Sequence, residues 1–245
     1  MKPHVERAII LAAGVGERLR PVTLQTPKPL LRVHGRRLMD LLIQGLHQNG
    51  IREIYVVVGY LKEQFVLLET EYPGVKLIEN PYYAYCNSIA SLYCAREHLE
   101  NAMILNGGQI IYDPAVLSPE FDLSGYNAVW TEEPTKEWLL TVKDGVVTEC
   151  SRTGGDRGWQ LFGISRWTAE DGRRLRRHLE IEFEEKRNGQ LCWDDLVLFR
   201  YLADYALGIR VMCPDDMVEI DTLEELASID GGYSALIESD ESKLR

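Results

Sequence analysis

The sequence predicts an α/β fold, a mostly parallel sheet with helices on both faces. Two observations lead there. Short apolar runs rich in β-branched residues alternate with helix-spaced leucines through the first half of the chain, and the first run ends in a Gly-x-Gly loop. The length allows it: 245 residues, 45 % hydrophobic and 27 % charged, are ordinary for a globular domain with a full core.

Residues 7–11 form a short apolar run that stops at Gly14 and Gly16, so they read as a buried strand. Leu38, Leu41, Leu42 and Leu46 recur at helical spacing, and Asn49-Gly50 supplies the stop. Residues 53–58 are β-branched and read as a second buried strand. A helix over 61–72, a strand over 75–78, a helix over 88–99 and a strand over 102–105 continue the alternation. That order implies parallel strands joined by crossover helices. In the middle, 128–131, 138–142 and 146–149 read as strands, the last two joined by Asp144-Gly145, a strong hairpin signal. A strand near 159–164, a long polar helix over 168–186, a helix over 194–205, a strand over 209–213 and a helix from Thr222 complete the reading. Residues 1–245 are expected to form one domain, with about 125–205 as an acceptor-side extension or lid, and the polar tail 239–245 is expected to fray.

Charge and composition exclude several classes. The chain has 27 Lys and Arg against 38 Asp and Glu, a net −11, which argues against non-specific nucleic-acid or anionic-membrane partners. No apolar run approaches the roughly 18 residues a membrane span needs, and the run 8–13 is too short for a signal peptide. The five cysteines form no CxxC pair and the five histidines no HxxxH pair, which suggests reduced thiols and a cytoplasmic protein. Any metal would need carboxylates, which suits Mg²⁺. The basic run 173–177 precedes Glu180, Glu182, Glu184 and Glu185 on one predicted helix, so it reads as a solvated face of i,i+4 pairs.

The Gly14-Val15-Gly16 loop lets backbone N–H groups approach an anion, and a helical segment after it would add its dipole. A tight strand-to-helix turn is an equal reading of the loop alone. A dinucleotide fingerprint wants a third glycine where Leu19 stands, and a P-loop wants a Gly-Lys-Ser/Thr that is absent. Further on, Pro27 and Pro29 flank Lys28 and stiffen its turn, which makes Lys28 a fixed point charge suited to phosphate, or else a solvated loop lysine.

Taken together, Ala12-Ala13-Gly14-x-Gly16-x-Arg18-Leu19-x-Pro21-x-Thr23, followed by Pro27-Lys28-Pro29-Leu30-Leu31, resembles the signature of the sugar-phosphate nucleotidyltransferases, which have a Rossmann-like fold. Across nearly the whole chain the sequence is similar to the bacterial CTP:phosphocholine cytidylyltransferases, through 80–89, 137–139, 191–195 and 219–222. The resemblance implies that Ala12, Ala13 and Gly14 face the cytidine. Gly16 and Arg18 would hold the β- and γ-phosphates, Lys28 the α-phosphate, and Asn87 and Ser88 would lie near base and ribose. Asp221, with Glu219 two residues earlier, would bind Mg²⁺, although Asp221-x-x-Glu224 also has the form of a helix cap. Trp138, Trp193 and Asp194 would shape an acceptor pocket for an ammonium group, unless the tryptophans are core. Cys192 stands where the family's aromatic box has a tyrosine, and Tyr82, Tyr83 and Tyr85 could line the same cleft.

One departure concerns the metal. Where the family carries an aspartate after the fourth strand, this chain reads Asn106-Gly107-Gly108-Gln109. An inactive variant, recruitment of another ligand such as Asn106, and a natural non-catalytic homologue all explain it. The expected function is transfer of CMP from CTP to a small aminoalkyl phosphate or phosphonate, phosphocholine foremost, with release of pyrophosphate. The alternatives are a catalytically silent nucleotide-binding homologue, and a cytidylyltransferase for 2-aminoethylphosphonate or phosphoethanolamine. A homodimer and a fusion to another domain stay open. If Gly108 is a lesion in an otherwise intact enzyme, Gly108→Asp raises CTP turnover by orders of magnitude in a pyrophosphate-release assay.

Overall fold

The computed structural model describes residues 2–241. The strand expected over 7–11 is β1 (Arg7–Ala12), at the centre of a nine-stranded sheet. Three 3-10 turns (Glu17–Leu19, Val22–Leu24, Lys28–Leu30) and a small ribbon, β2 (Arg32–Val33) with β3 (Arg36–Arg37), precede helix α1 (Leu38–Gln48). The chain continues through β4 (Glu53–Val58), α2 (Leu67–Glu71), β5 (Val75–Glu79), α3 (Ser88–Cys94) and β6 (Ala102–Asn106). The helices expected over 61–72 and 88–99 are shorter than that, and the turns Lys62–Phe65 and Arg96–His98 supply the rest.

β1 lies between β4 and β6, parallel to both, and β5 adds in parallel to β4. Alternate residues of these strands enter two separate cores. Ala8, Ile10, Val56 and Leu105 pack with Met39, Leu42 and Leu46 of α1, while Ile9, Val57 and Ile104 pack with Ile89 and Leu92 of α3. A strand covered on both faces has no polar side to show, which is why these segments read as continuous apolar runs.

The second half completes the sheet with antiparallel strands. After β7 (Gln109–Ile111) come β8 (Gly125–Thr131), β9 (Leu139–Lys143), β10 (Val146–Ser151) and the long β11 (Gly158–Trp167). β11 runs antiparallel to β6, β8 and β9, and so joins the middle of the chain to the parallel half. The β9–β10 hairpin turns at Asp144 (φ 51°) and Gly145 (φ 79°), the two positive φ values a two-residue hairpin turn requires.

The helix expected over 168–186 is α4 (Ala169–Leu179), capped by Thr168 Oγ1 accepting from Asp171 N at 3.1 Å, and it ends in a π-helical turn, Glu180–Glu185. Glu182 sits in that turn fully buried, accepting from Lys186 and Tyr201, so one acid of the polar face points inward. The helix expected over 194–205 is α5 (Trp193–Asp195), a π turn (Leu196–Arg200) and a 3-10 turn (Leu202–Asp204). Three arginines of the basic run are paired: Arg173 with Glu100, Arg174 with Glu170 and Asp171, Arg176 with Glu97 and Glu180.

β12 (Gly208–Val211) pairs in parallel with β8. Next comes β13 (Met217–Glu219), then α6 (Leu223–Ile229) and α7 (Ser234–Glu241). Of the tail expected to fray, 239–241 are the last turn of α7 and 242–245 lie outside the described residues. β13 pairs antiparallel with β7, Glu219 opposite Gln109, a ribbon too short to stand out as period-2 alternation. A third apolar cluster secures it: Leu19 from the glycine loop and Ile110 from β7 pack with Ile220, Leu223 and Leu226. No helix among the described residues is long and apolar enough to cross a membrane, and all five cysteines are free.

Ile10 is fully buried at the centre of the first core. Ile10→Ala is expected to lower unfolding free energy by about 2–5 kcal/mol, read as a lower urea midpoint at unchanged slope.

Candidate active site

A cleft of about 900 Å³ opens along the C-terminal ends of β1 and β6 and is lined by both halves of the chain. At one end lie Ala12, Ala13, Gly14 and Gly16. Gly16 has a left-handed backbone (φ +67°), and a Cβ there would meet Thr23 Cγ2 at 3.0 Å. Its carbonyl accepts from Thr23 Oγ1 at 2.8 Å, which folds the loop back on itself. Only the three-residue turn Glu17–Leu19 follows, so the helix dipole expected behind the loop is replaced by individual N–H groups and side-chain charge.

Two cations converge at this end on one carboxylate oxygen. Lys28 Nζ donates to Asp221 Oδ1 at 2.8 Å, and an Arg18 guanidinium nitrogen lies 3.2 Å from the same atom. Side-chain exposures of 18 % for Lys28, 37 % for Asp221 and 68 % for Arg18 order them from the wall of the cleft to its mouth. Burial raises the Asp221 carboxyl, but Lys28 and then Arg18 outweigh it, and its pKa lies below the usual aspartate value. The β7–β13 ribbon holds Asp221 there, with Ile220 N donating to Gly108 O at 3.0 Å. The helix cap that Asp221 resembled belongs to its neighbour. Thr222 and Glu225 form the capping box of α6, and Asp221 contributes only its N–H, donating to Glu225 Oε2 at 2.7 Å.

Glu219 also faces the cleft, half-buried, accepting from Asn106 Nδ2 at 3.1 Å. Burial, partly offset by Lys28, leaves its pKa raised. The residues present do not form a ready site for Mg²⁺. An ideal Cβ on Gly108 would fall on the Lys28 side chain, and Asp221 already serves two cations. No group of three His, Cys, Asp or Glu able to hold a metal occurs among the described residues.

On the side wall, Asn87 caps α3 with Oδ1 accepting from Ser88 N at 2.7 Å. Ser88 Oγ accepts from Trp193 N at 3.0 Å and donates to Cys192 Sγ at 3.3 Å, tying this wall to the acceptor end. There Glu137, Trp138, Cys192 and Asp194 line the cleft. Trp193 does not: it is 4 % exposed and packs against Tyr126 and Trp167 in the second core, because the turn that begins α5 sends it inward. Asp195 is taken by Arg152, 2.6 Å away. Of the three tyrosines expected here, Tyr83 lines the cleft, Tyr82 packs on Phe183 and Tyr85 is exposed.

Burial pushes the Cys192 thiol up to about 12, so it is no nucleophile. Burial likewise raises the Asp194 carboxyl to about 7. Asn80, Cys86 and Glu137, from the matching stretches but with no role assigned in advance, line the cleft as well, as do Asn106, considered only as a substitute metal ligand, and Ser91, which no motif included. Asn80 Nδ2 donating to Ser91 Oγ at 3.0 Å is a pairing only the folded chain makes.

The model of the MobA-like NTP transferase domain matches residues 8–163. The chain is similar to a 2-aminoethylphosphonate cytidylyltransferase of Lancefieldella rimae, 37 % identical over 235 residues, 95 % of this chain and 95 % of that protein. It is also similar to a choline-phosphate cytidylyltransferase of Streptococcus pneumoniae, 31 % identical over 224 residues, 91 % of this chain and 96 % of the relative. A solved structure of the CTP:phosphocholine cytidylyltransferase from Streptococcus pneumoniae superposes with a TM-score of 0.86 at 31 % identity, covering 93 % of this chain and 98 % of that one.

The raised carboxyl gives a pH signature. Asp194 titrates near 3.8 when unperturbed and near 7 in the fold, so between those values the folded state holds the extra proton and stability falls as pH rises. Asp194→Asn has no proton to lose. Its urea midpoint relative to wild type is expected to climb from about pH 4 to about pH 7 and then level off. A flat difference across that range would count against a buried neutral carboxyl.

Proposed function

The chain belongs to the MobA-like NTP transferase domain family, and from that premise we propose that it is a cytidylyltransferase, transferring CMP from CTP to a small aminoalkyl phosphate or phosphonate. One observation carries this reading: the glycine loop with its two cations and the ammonium-suited end, Trp138 with Glu137 and Asp194, open into one cleft.

In the proposed reaction an oxygen of the acceptor phosphate or phosphonate attacks the α-phosphorus of CTP. The bond from that phosphorus to the bridging oxygen breaks, and the electron pair leaves with pyrophosphate. The nucleophile is already an anion, so no general base is required, and no histidine lines the cleft. The work is positioning two anions and neutralising their charge. Lys28 serves the α-phosphate, where charge builds as the new bond forms. Arg18 and the N–H groups after Gly14 serve the leaving pyrophosphate. Asp221 holds both cations in place before CTP arrives. Because the donor set does not make a ready Mg²⁺ site, these roles are assigned to protein groups alone.

Phosphocholine is the first acceptor to test. A second reading, 2-aminoethylphosphonate, is favoured by one observation: with Trp193 withdrawn into the core, a single tryptophan and two acids remain, which suits a primary ammonium better than an aromatic cage.

Pyrophosphate release from CTP, measured with phosphocholine, phosphoethanolamine and 2-aminoethylphosphonate in turn, is expected to show turnover with at least one. Binding of CTP by calorimetry with no turnover on any acceptor would instead support a silent homologue. Lys28→Met is expected to lower kcat by about 10²–10³-fold with a smaller change in the KM for CTP.

A further inference from the structure

We propose that Lys28, admitted by Gly108, occupies the place beside Asp221 that a divalent cation would take. The protein then holds no such cation until nucleotide supplies its own phosphate ligands. The inference rests on the nucleotidyl-transfer reading of the cleft, and it assigns to Gly108 a function in place of a defect.

The two glycines after β6 answer different needs. A Cβ on Gly107 would press on Pro29 Cγ at 3.0 Å and on the Leu11 carbonyl at 3.1 Å, so Gly107 allows backbone to approach backbone. Gly108 has no such neighbour. The three atoms nearest its ideal Cβ are Cε, Nζ and Cδ of Lys28. Nor does its backbone demand glycine, since Gly108 is not among the positive-φ residues. The missing side chain is therefore room for Lys28.

What Lys28 does with that room is reach Asp221, 2.8 Å away. Arg18 adds a second positive charge at 3.2 Å from the same oxygen. A dication at this oxygen would have to displace the ammonium or share a few ångströms with it, and like charges at that range repel strongly. The remaining carboxylate, Glu219, is held by Asn106. A cation entering alone finds its ligands engaged, whereas a triphosphate brings new oxygens and draws Lys28 and Arg18 toward itself.

Binding of Mn²⁺ to the nucleotide-free protein, followed by electron paramagnetic resonance of the free ion, tests this without reference to activity. Wild type is expected to leave Mn²⁺ free at millimolar concentration. Gly108→Asp, which adds a carboxylate and pushes Lys28 aside, is expected to bind at least about tenfold more tightly. Lys28→Met, which frees Asp221 while keeping the chain's bulk, is expected to gain affinity too, with circular dichroism showing each variant folded. Tight Mn²⁺ binding by wild type, or no gain in Lys28→Met, would overturn the proposal. Calorimetry of wild type with CTP tests the nucleotide reading separately. Failure there removes that reading and leaves the metal arms to judge the exchange at the Lys28 position.

Discussion

A single oxygen of Asp221, shared by Lys28 and Arg18, is the interaction on which the candidate active site depends. A chain with a net charge of −11 repels a triphosphate and a second anion at long range, so its positive charge has to be concentrated and held. Lys28 and Arg18 come from the loops after β1, while Asp221 lies 193 residues beyond Lys28. The β7–β13 ribbon and the cluster of Leu19, Ile110, Ile220 and Leu223 bring the two ends together. The apolar contact closes the distance and the ion pairs set the orientation. Arg18, at the mouth, is exposed enough that its pair adds little to stability, and the value of both pairs is in placing charge.

The sheet divides the labour around that point. Parallel strands β1 and β6 end in loops that build the glycine-loop end of the cleft, and the antiparallel strands around β11 contribute the opposite wall. Ser88 joins the two, its hydroxyl engaged with both Trp193 N and Cys192 Sγ. A substrate spanning the cleft therefore meets cations at one end and two acids, exposed Glu137 and the more enclosed Asp194, at the other. That polarity suits a molecule with a phosphate or phosphonate at one terminus and an ammonium at the other.

The site contains no histidine, and its thiols titrate too high to act as nucleophiles. Those absences fit a reaction whose nucleophile arrives already ionised. Catalysis in such a site is a matter of fixed charges and short distances, and a glycine that clears room for a lysine matters as much as any reactive group.

Much of this was legible in the linear chain. Apolar runs flanked by glycine marked β1, β4 and β6, because strands covered on both faces have no alternation to confuse with a helix. The glycine loop, Arg18, the proline-flanked Lys28 and Asp221 stood out because their chemistry is local to short motifs. The helix breaks at Glu180 and Leu196 were not legible, since they come with tertiary contacts such as that of buried Glu182 with Tyr201. Nor was the fate of Trp193: a tryptophan beside an aspartate reads the same whether it faces a ligand or a core, and only the turn of α5 against Tyr126 and Trp167 chose the core. The meaning of Gly108 also belonged to the fold. In sequence it is a missing carboxylate, and in the tertiary structure it is the space through which Lys28 reaches Asp221. Sequence carries the identity of each group, but which groups share a volume is settled only when distant segments pack.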